Sequence, residues 1–177
     1  MTTYLEDLSE GLRIETERRV VTAADIDAFV ELSGDRNPLH TDDDYARESG
    51  FAGRIAHGLL VLSVESGLSS DADEWAMGTY LEETRRFVEP VLPGDEIHSV
   101  SEVTEVRRSR SKPDRGIVTL RVETRNQRDE VVLEGTDLIM VGARGDELPF
   151  DVGIGHASPS RTGSPRTRSG RSPRRST

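Results

Sequence analysis

The hydrophobic pattern changes period near the middle of the chain. Between 23 and 33, Ile26, Phe29 and Val30 fall on one stripe at helical spacing. Thr22 stands before the stripe as an N-cap, with Asp25 at the third helical position, and Gly34 follows as a stop. This predicts a helix over 23–33. A short polar helix is expected over 42–48. HGLLVLSVESGLSS (57–70) begins apolar on most sides, which predicts a helix buried on more than one face.

The second half is rich in β-branched residues with alternating burial propensity. RRFVEPV (85–91), DEIHSVSEVTEVRR (95–108), GIVTLRVETRNQ (116–127) and EVVLEGTDLIMVGA (130–143) read as strands. Pro93-Gly94, the 112–116 run and Gln127-Arg128-Asp129 punctuate them as turns. GLRIETERRVVT (11–22) supplies a candidate for one more strand. Antiparallel strands following a buried helix make an α+β pattern: a curved antiparallel sheet wrapped around the helix at 57–70.

Length and composition narrow this further. A chain of 177 residues suits one domain, expected over 1–150, and a Ser/Arg/Pro-rich tail over 151–177. From His156 onward Ala157 is the only aliphatic residue, so the tail cannot offset its ordering entropy and is expected to be disordered. With no cysteine, disulfides and thiolate metal sites are excluded. The acidic N-terminus lacks the long apolar segment of a signal peptide, and GLLVLSV (58–64) is too short to span a bilayer. A cytoplasmic protein without a membrane partner is expected.

The net charge is -10, and Lys112 is the sole lysine among 23 basic residues. Six arginines and no carboxylate lie in 156–177, which leaves 1–155 at -16. A carboxylate-dense, lysine-poor surface suits high salt, where screening relieves self-repulsion. It also argues against nucleic acid as the main partner.

The chemistry concentrates in GDRNPLHTDDDYARESGFAGRIAHGLL (34–60). A carboxylate and an imidazole held near each other, here Asp35 and His40, can share one water and exchange its proton. Gly58, opening a helix, offers an unused backbone N–H at a positive dipole end, suited to a carbonyl oxygen gaining charge. Together these parts suit proton transfer at the carbon beside a carbonyl. Taken singly, Asp35 and Asn37-Pro38 fit turns, His40 a surface or capping role and His57 a packing role. The spacing of the set is what points to catalysis.

Asp35-x-Asn37-Pro38-x-His40, followed by Asp42, Ala46, Phe51, Ile55 and His57-Gly58, resembles the hydratase signature of the MaoC-like family, which includes the (R)-specific enoyl-CoA hydratases. The similarity extends over about 10–144 and includes PVLPGDEI (90–97). The resemblance implies a hot-dog fold, assembled as a homodimer or higher homo-oligomer. It implies that Asp35 and His40 bind the catalytic water and that Gly58 N–H holds the thioester oxygen. Asn37, His57 and Ser63 would be substrate-binding, with Ser63 lining the same pocket. The implied reaction is the reversible hydration of a trans-2-enoyl-CoA to an (R)-3-hydroxyacyl-CoA. No metal or redox cofactor is implied, because the thioester already polarises the double bond and CoA is part of the substrate.

Two further sites are candidates for charge contacts. Arg36 could touch a charged substrate or face solvent, and the basic stretch 107–116 could meet CoA phosphates or form an exposed hairpin tip. Alternatives on the same fold are an acyl-CoA thioesterase, which would need a helix carboxylate such as Glu65, and a non-catalytic acyl-binding subunit. Nucleic-acid binding through the arginine tail ranks last.

Overall fold

A computed structural model describes residues 2–72, 75–76 and 78–145. The expected tail and the last residues of the expected domain, from 146 onward, lie outside the described residues.

The first helix forms where its caps place it. In α1 (Ala23–Ser33) the Thr22 hydroxyl accepts from Asp25 N–H at 3.1 Å and the Asp25 carboxylate accepts from Thr22 N–H at 2.8 Å. Gly34 ends it at φ 75, a left-handed turn open to glycine. Ile26 and Val30 are its buried face.

Pro38 does more than stiffen a loop. Asn37 is extended, as a residue before proline must be, and caps the short helix α2 (Pro38–Thr41), in which proline takes the first position. α3 (Asp43–Glu48) follows, capped by the Asp42 carboxylate on the N–H groups of Asp44 and Tyr45. α4 (Gly58–Ala72) is the long central helix. It buries Leu60, Val61, Val64 and Glu65 against the sheet while Leu59 and Ser63 stay exposed, so within one chain only one side of it is covered.

The sheet runs in the order β1-β4-β5-β6-β3, with β2 also on β4, and every pairing is antiparallel. Its strands are β1 (Arg13–Glu15), β2 (Arg19–Val20), β3 (Thr79–Phe87), β4 (Glu96–Arg108), β5 (Arg115–Asn126) and β6 (Val131–Gly142). In β5, Val118, Leu120 and Val122 point inward between more exposed neighbours, the period-two pattern of a half-buried strand.

Two strands differ from expectation. The 11–22 segment is split, because at Thr16 the side-chain oxygen takes the Ser99 N–H and interrupts the ladder. β3 starts at Thr79 and leaves the sheet after Phe87, not at 91. Val88 and Glu89 N–H both turn to Val132 O, and Pro90 brings no donor to continue the pairing.

The core falls into two clusters. One packs α4 residues Leu60, Val61 and Val64 on Val21, Ile26, Val91, Ile97, Val132 and Leu133. The other, at the far end of the sheet, gathers Leu5, Leu8, Val103, Val118, Leu120, Ile139 and Val141. The first cluster seats the N-terminus of α4, where the candidate residues converge.

Candidate functional site

The 34–58 segment is fixed by main-chain hydrogen bonds rather than by packing alone. Phe51 N–H donates to Ala46 O, Ile55 N–H to Leu39 O and Ala56 N–H to Val91 O, all at 2.8–3.0 Å. Asp43 adds a carboxylate oxygen on Arg54 N–H at 3.0 Å. These ties bring the segment's two halves together.

His40 lies half-buried with Nδ1 at 2.8 Å from Ile55 O. A carbonyl can only accept, so Nδ1 carries the proton, and the free Nε2 presents a lone pair. The Asp35 carboxylate is half-exposed and is held by Asn37 N–H at 3.1 Å. One oxygen of Asp35, one ring nitrogen of His40 and one of His57 all lie within 4.8 Å of one another. A single water bonded at about 2.8 Å to two such atoms bridges separations of roughly 4.6 Å, so Asp35 and His40 stand at water-sharing distance.

Gly58 occupies the first position of α4, and among the described residues its N–H has no acceptor. The Phe87 ring lies directly on it: a Cβ at position 58 would meet Phe87 Cε1 at 2.5 Å. A side chain at this position would have to push the half-exposed Phe87 ring aside. Gly58 and His40 line one pocket of about 400 Å³, walled mainly by Phe51, Ile55, Leu59, Phe87 and Val91. An apolar chain suits those walls.

The other candidates are placed elsewhere. Asn37 spends its Oδ1 on Leu39 N–H as the α2 cap and its own N–H on Asp35, so it shapes the loop. Ser63 does not line the pocket with His40. Five residues past Gly58 it sits about 140° around the helix, where its hydroxyl donates to Leu59 O and it borders a separate depression with Phe29 and Leu60. His57 is 3 % exposed and lies beneath His40 rather than in the pocket lining. Arg36 pairs with Glu31 at the surface. The basic stretch forms the β4–β5 turn, while the pocket abuts the opposite end of β6. That is roughly 35 Å of strand away at 3.3 Å per residue.

Glu65, the helix carboxylate, is 1 % exposed and does not line the pocket. It accepts from Ser69 and pairs with Arg85, which also forks onto Asp137. Burial pushes its carboxyl above the usual range, with Arg85 pulling the other way. Partial burial and the nearby charges of Asp137, Glu65 and Glu83 push the Tyr80 phenol up to about 12.

Asp35, His40 and His57 are ligand types with donor atoms within 4.8 Å of one another, but one of those donors is already engaged. His57 Nε2 lies 3.1 Å from Asp35 O and must carry a proton to bond it. The two imidazoles stack with centroids 3.7 Å apart and planes at 27°.

Three contributors escaped the sequence: Phe87 over Gly58, Phe29 against His57, and the Ile55 carbonyl that sets the His40 proton. Only Ile55 lay in the quoted motif. The others reach the site across long separations that no linear spacing signals.

The chain resembles known proteins over most of its length. Residues 9–126 match the family model described as MaoC like domain. The chain is 32% identical over 152 residues to the 3-hydroxybutyryl-CoA dehydratase of Methylorubrum extorquens, covering 86% of this chain and 92% of that one. It is 33% identical over 142 residues to an (R)-specific enoyl-CoA hydratase of Rhodospirillum rubrum, covering 80% and 94%. A solved MaoC-like dehydratase from Rhodospirillum rubrum superposes with a TM-score of 0.76 at 35% identity, covering 81% of this chain and 99% of that one. The fold is the hot-dog fold.

Proposed function

We propose, since the chain belongs to the MaoC-like domain family, that it is a hydro-lyase adding water to trans-2-enoyl-CoA to give (R)-3-hydroxyacyl-CoA. The observation that carries this reading is the placement of donor atoms of Asp35 and His40 within 4.8 Å of each other, with His40 lining the same pocket as Gly58, whose N–H has no acceptor among the described residues. The names of the relatives, a dehydratase and a hydratase of CoA thioesters, support the same chemistry.

In the proposed mechanism the acyl chain lies in the apolar pocket with the thioester oxygen on Gly58 N–H. The water bridges Asp35 and the free Nε2 of His40. Its oxygen bonds to C3 and gives up one proton to the Asp35–His40 pair while the C2–C3 double bond becomes single. The electron pair moves onto the thioester oxygen, where the helix N-terminus stabilises the enolate-like charge. A proton then reaches C2 from the same pair, so that one water is added overall. Asp35 and His40 act as one coupled unit, with no separate assignment of acid and base. The thioesterase alternative is weakened by Glu65, whose carboxylate is spent on Arg85 and Ser69 outside the pocket.

Assembly as a homodimer is part of the proposal. The edge strand β3 is exposed along most of its length and displays Tyr80, Leu81 and Phe87, next to Val88 and the uncovered Leu59 of α4. An exposed edge of this kind is a pairing surface, and a second copy would cover it.

Gly58→Ala tests the carbonyl-holding role. The added methyl must displace Phe87 or the helix start, and kcat is expected to fall by about 10- to 100-fold. Phe87→Leu in the Gly58→Ala background should recover part of that loss. Recovery absent from steady-state kinetics would contradict the packing assigned to this pair. The stereochemical test is chiral analysis of product from a panel of enoyl-CoAs at high salt. The (R)-3-hydroxyacyl-CoA is expected, and the (S) product would overturn the assignment.

A further inference from the structure

We propose that His57 is a positioning residue, which holds Asp35 and His40 at their working separation and fixes both to the start of the central helix. The inference rests on the proposed hydration and changes the part played by one residue within it. At 3 % exposed, and absent from the pocket lining, His57 has no surface for substrate.

Its contacts all lead to other parts of the site. Nε2–H donates to the main-chain oxygen of Asp35 at 3.1 Å and lies 4.0 Å from the Asp35 carboxylate. One face carries the His40 ring, with centroids 3.7 Å apart and planes at 27°. Phe29 of α1 packs against the same imidazole at 5.0 Å and 53°. The main-chain oxygen of His57 accepts from Leu60 and Val61 N–H, so this residue also caps α4 and precedes Gly58. One buried side chain therefore registers the water-holding pair against the carbonyl-holding N–H.

The unused nitrogen supports a requirement for imidazole. Among the described residues His57 Nδ1 is buried without a hydrogen-bond partner. An orphaned polar atom costs stability that a Phe or Leu of similar bulk would avoid. The ring is kept despite that cost, and the nitrogen that does bond reaches Asp35.

The test separates positioning from substrate binding and from bulk packing. His57→Phe keeps a flat ring under His40 but loses the N–H to Asp35. With an enoyl-CoA substrate it is expected to lower kcat by about 30- to 100-fold, the scale of a misplaced catalytic group, with KM within about 2-fold. In a His40→Gln background the same substitution should cost less than about 3-fold, because the pair it positions is already disabled. An activity-independent readout is the long-range ¹H–¹⁵N correlation of the imidazoles. The wild type should show His57 protonated at Nε2 and His40 at Nδ1; in His57→Phe, His40 should stay protonated at Nδ1, held by Ile55 O, while the Asn37 amide bonded to the Asp35 carboxylate shifts as that loop loses its anchor.

Should thermal unfolding show that His57→Phe does not fold, His57→Leu, which also lacks the donor to Asp35, takes its place with the same expectations. A raised KM at unchanged kcat, kcat within about 2-fold of wild type, full multiplication with His40→Gln, a wild-type His57 protonated at Nδ1, or an unshifted Asn37 amide in His57→Phe would each overturn the proposal. A wild type inert toward enoyl-CoA would instead count against hydration, and the imidazole spectra would still decide the role of His57.

Discussion

His40→Gln is expected to lower kcat for enoyl-CoA hydration by about 10²- to 10⁴-fold, the range typical of a positioned acid–base group. KM should stay near wild type. The reason is local: His40 meets the pocket at one edge, while its Nδ1–H to Ile55 O fixes which nitrogen faces the water. Glutamine can fill the space but cannot take a proton and return it. Asp35→Asn should behave alike. The Asn37 N–H would still hold the side-chain oxygen, yet the amide accepts no proton from water. Because both groups serve one water, the double variant should be little worse than the weaker single. Steady-state kinetics of the three variants checks this, and wild-type-like turnover in either single variant would sink the mechanism.

Arg85→Met is expected to destabilise the fold by about 3–5 kcal/mol, the usual consequence of breaking a buried ion pair from one side. The Arg85 guanidinium is buried between Glu65 of α4 and Asp137 of β6. Without it the buried carboxylates of Glu65 and Asp137 lose their shared cation, as does the more exposed Glu83, and among the described residues the Ser69 hydroxyl alone still donates to Glu65. Total stabilities of small domains are about 5–15 kcal/mol, so the loss should be conspicuous in urea melts. Neutralising the carboxylates as well, with Glu65→Gln and Asp137→Asn, should recover much of it.

The same cluster sets a pH dependence. Burial raises the Glu65 carboxyl above its ordinary value of 4.5, with the Asp137 charge adding to it and Arg85 opposing. A raised folded value means that this group's stabilising contribution is complete below about 4.5. It is then lost as pH climbs through the folded value. Glu65→Gln should flatten that part of the stability profile.

What the sequence disclosed depended on the range of the interaction. The Thr22–Asp25 cap and the Gly34 stop are contacts within a few residues, and α1 has the expected bounds. Period-two alternation marked β4, β5 and β6 to within a residue or two of their ends. β3 departs from the expected span because it is an edge strand whose first half, Thr79 to Thr84, is exposed without period-two alternation and pairs through its backbone. Its apolar continuation to Val91 belongs to a turn governed by Val132 O. Asp35, His40 and Gly58 were legible as a motif. The roles of Asn37 and Ser63 were not, since a cap and a 140° turn of helix are three-dimensional facts. The Glu65–Arg85–Asp137 cluster joins residues 20 and 52 positions apart, and nothing local distinguishes those charges from the many on the surface.

The most direct test follows crotonyl-CoA and purified wild-type protein at high salt, with enoyl-thioester absorbance and free thiol read in the same sample. Hydration predicts that the absorbance falls to an equilibrium value while no thiol is released, and that added 3-hydroxybutyryl-CoA restores it from the other side. Thiol release in step with the absorbance loss, or no change in absorbance at any enzyme concentration, would contradict it.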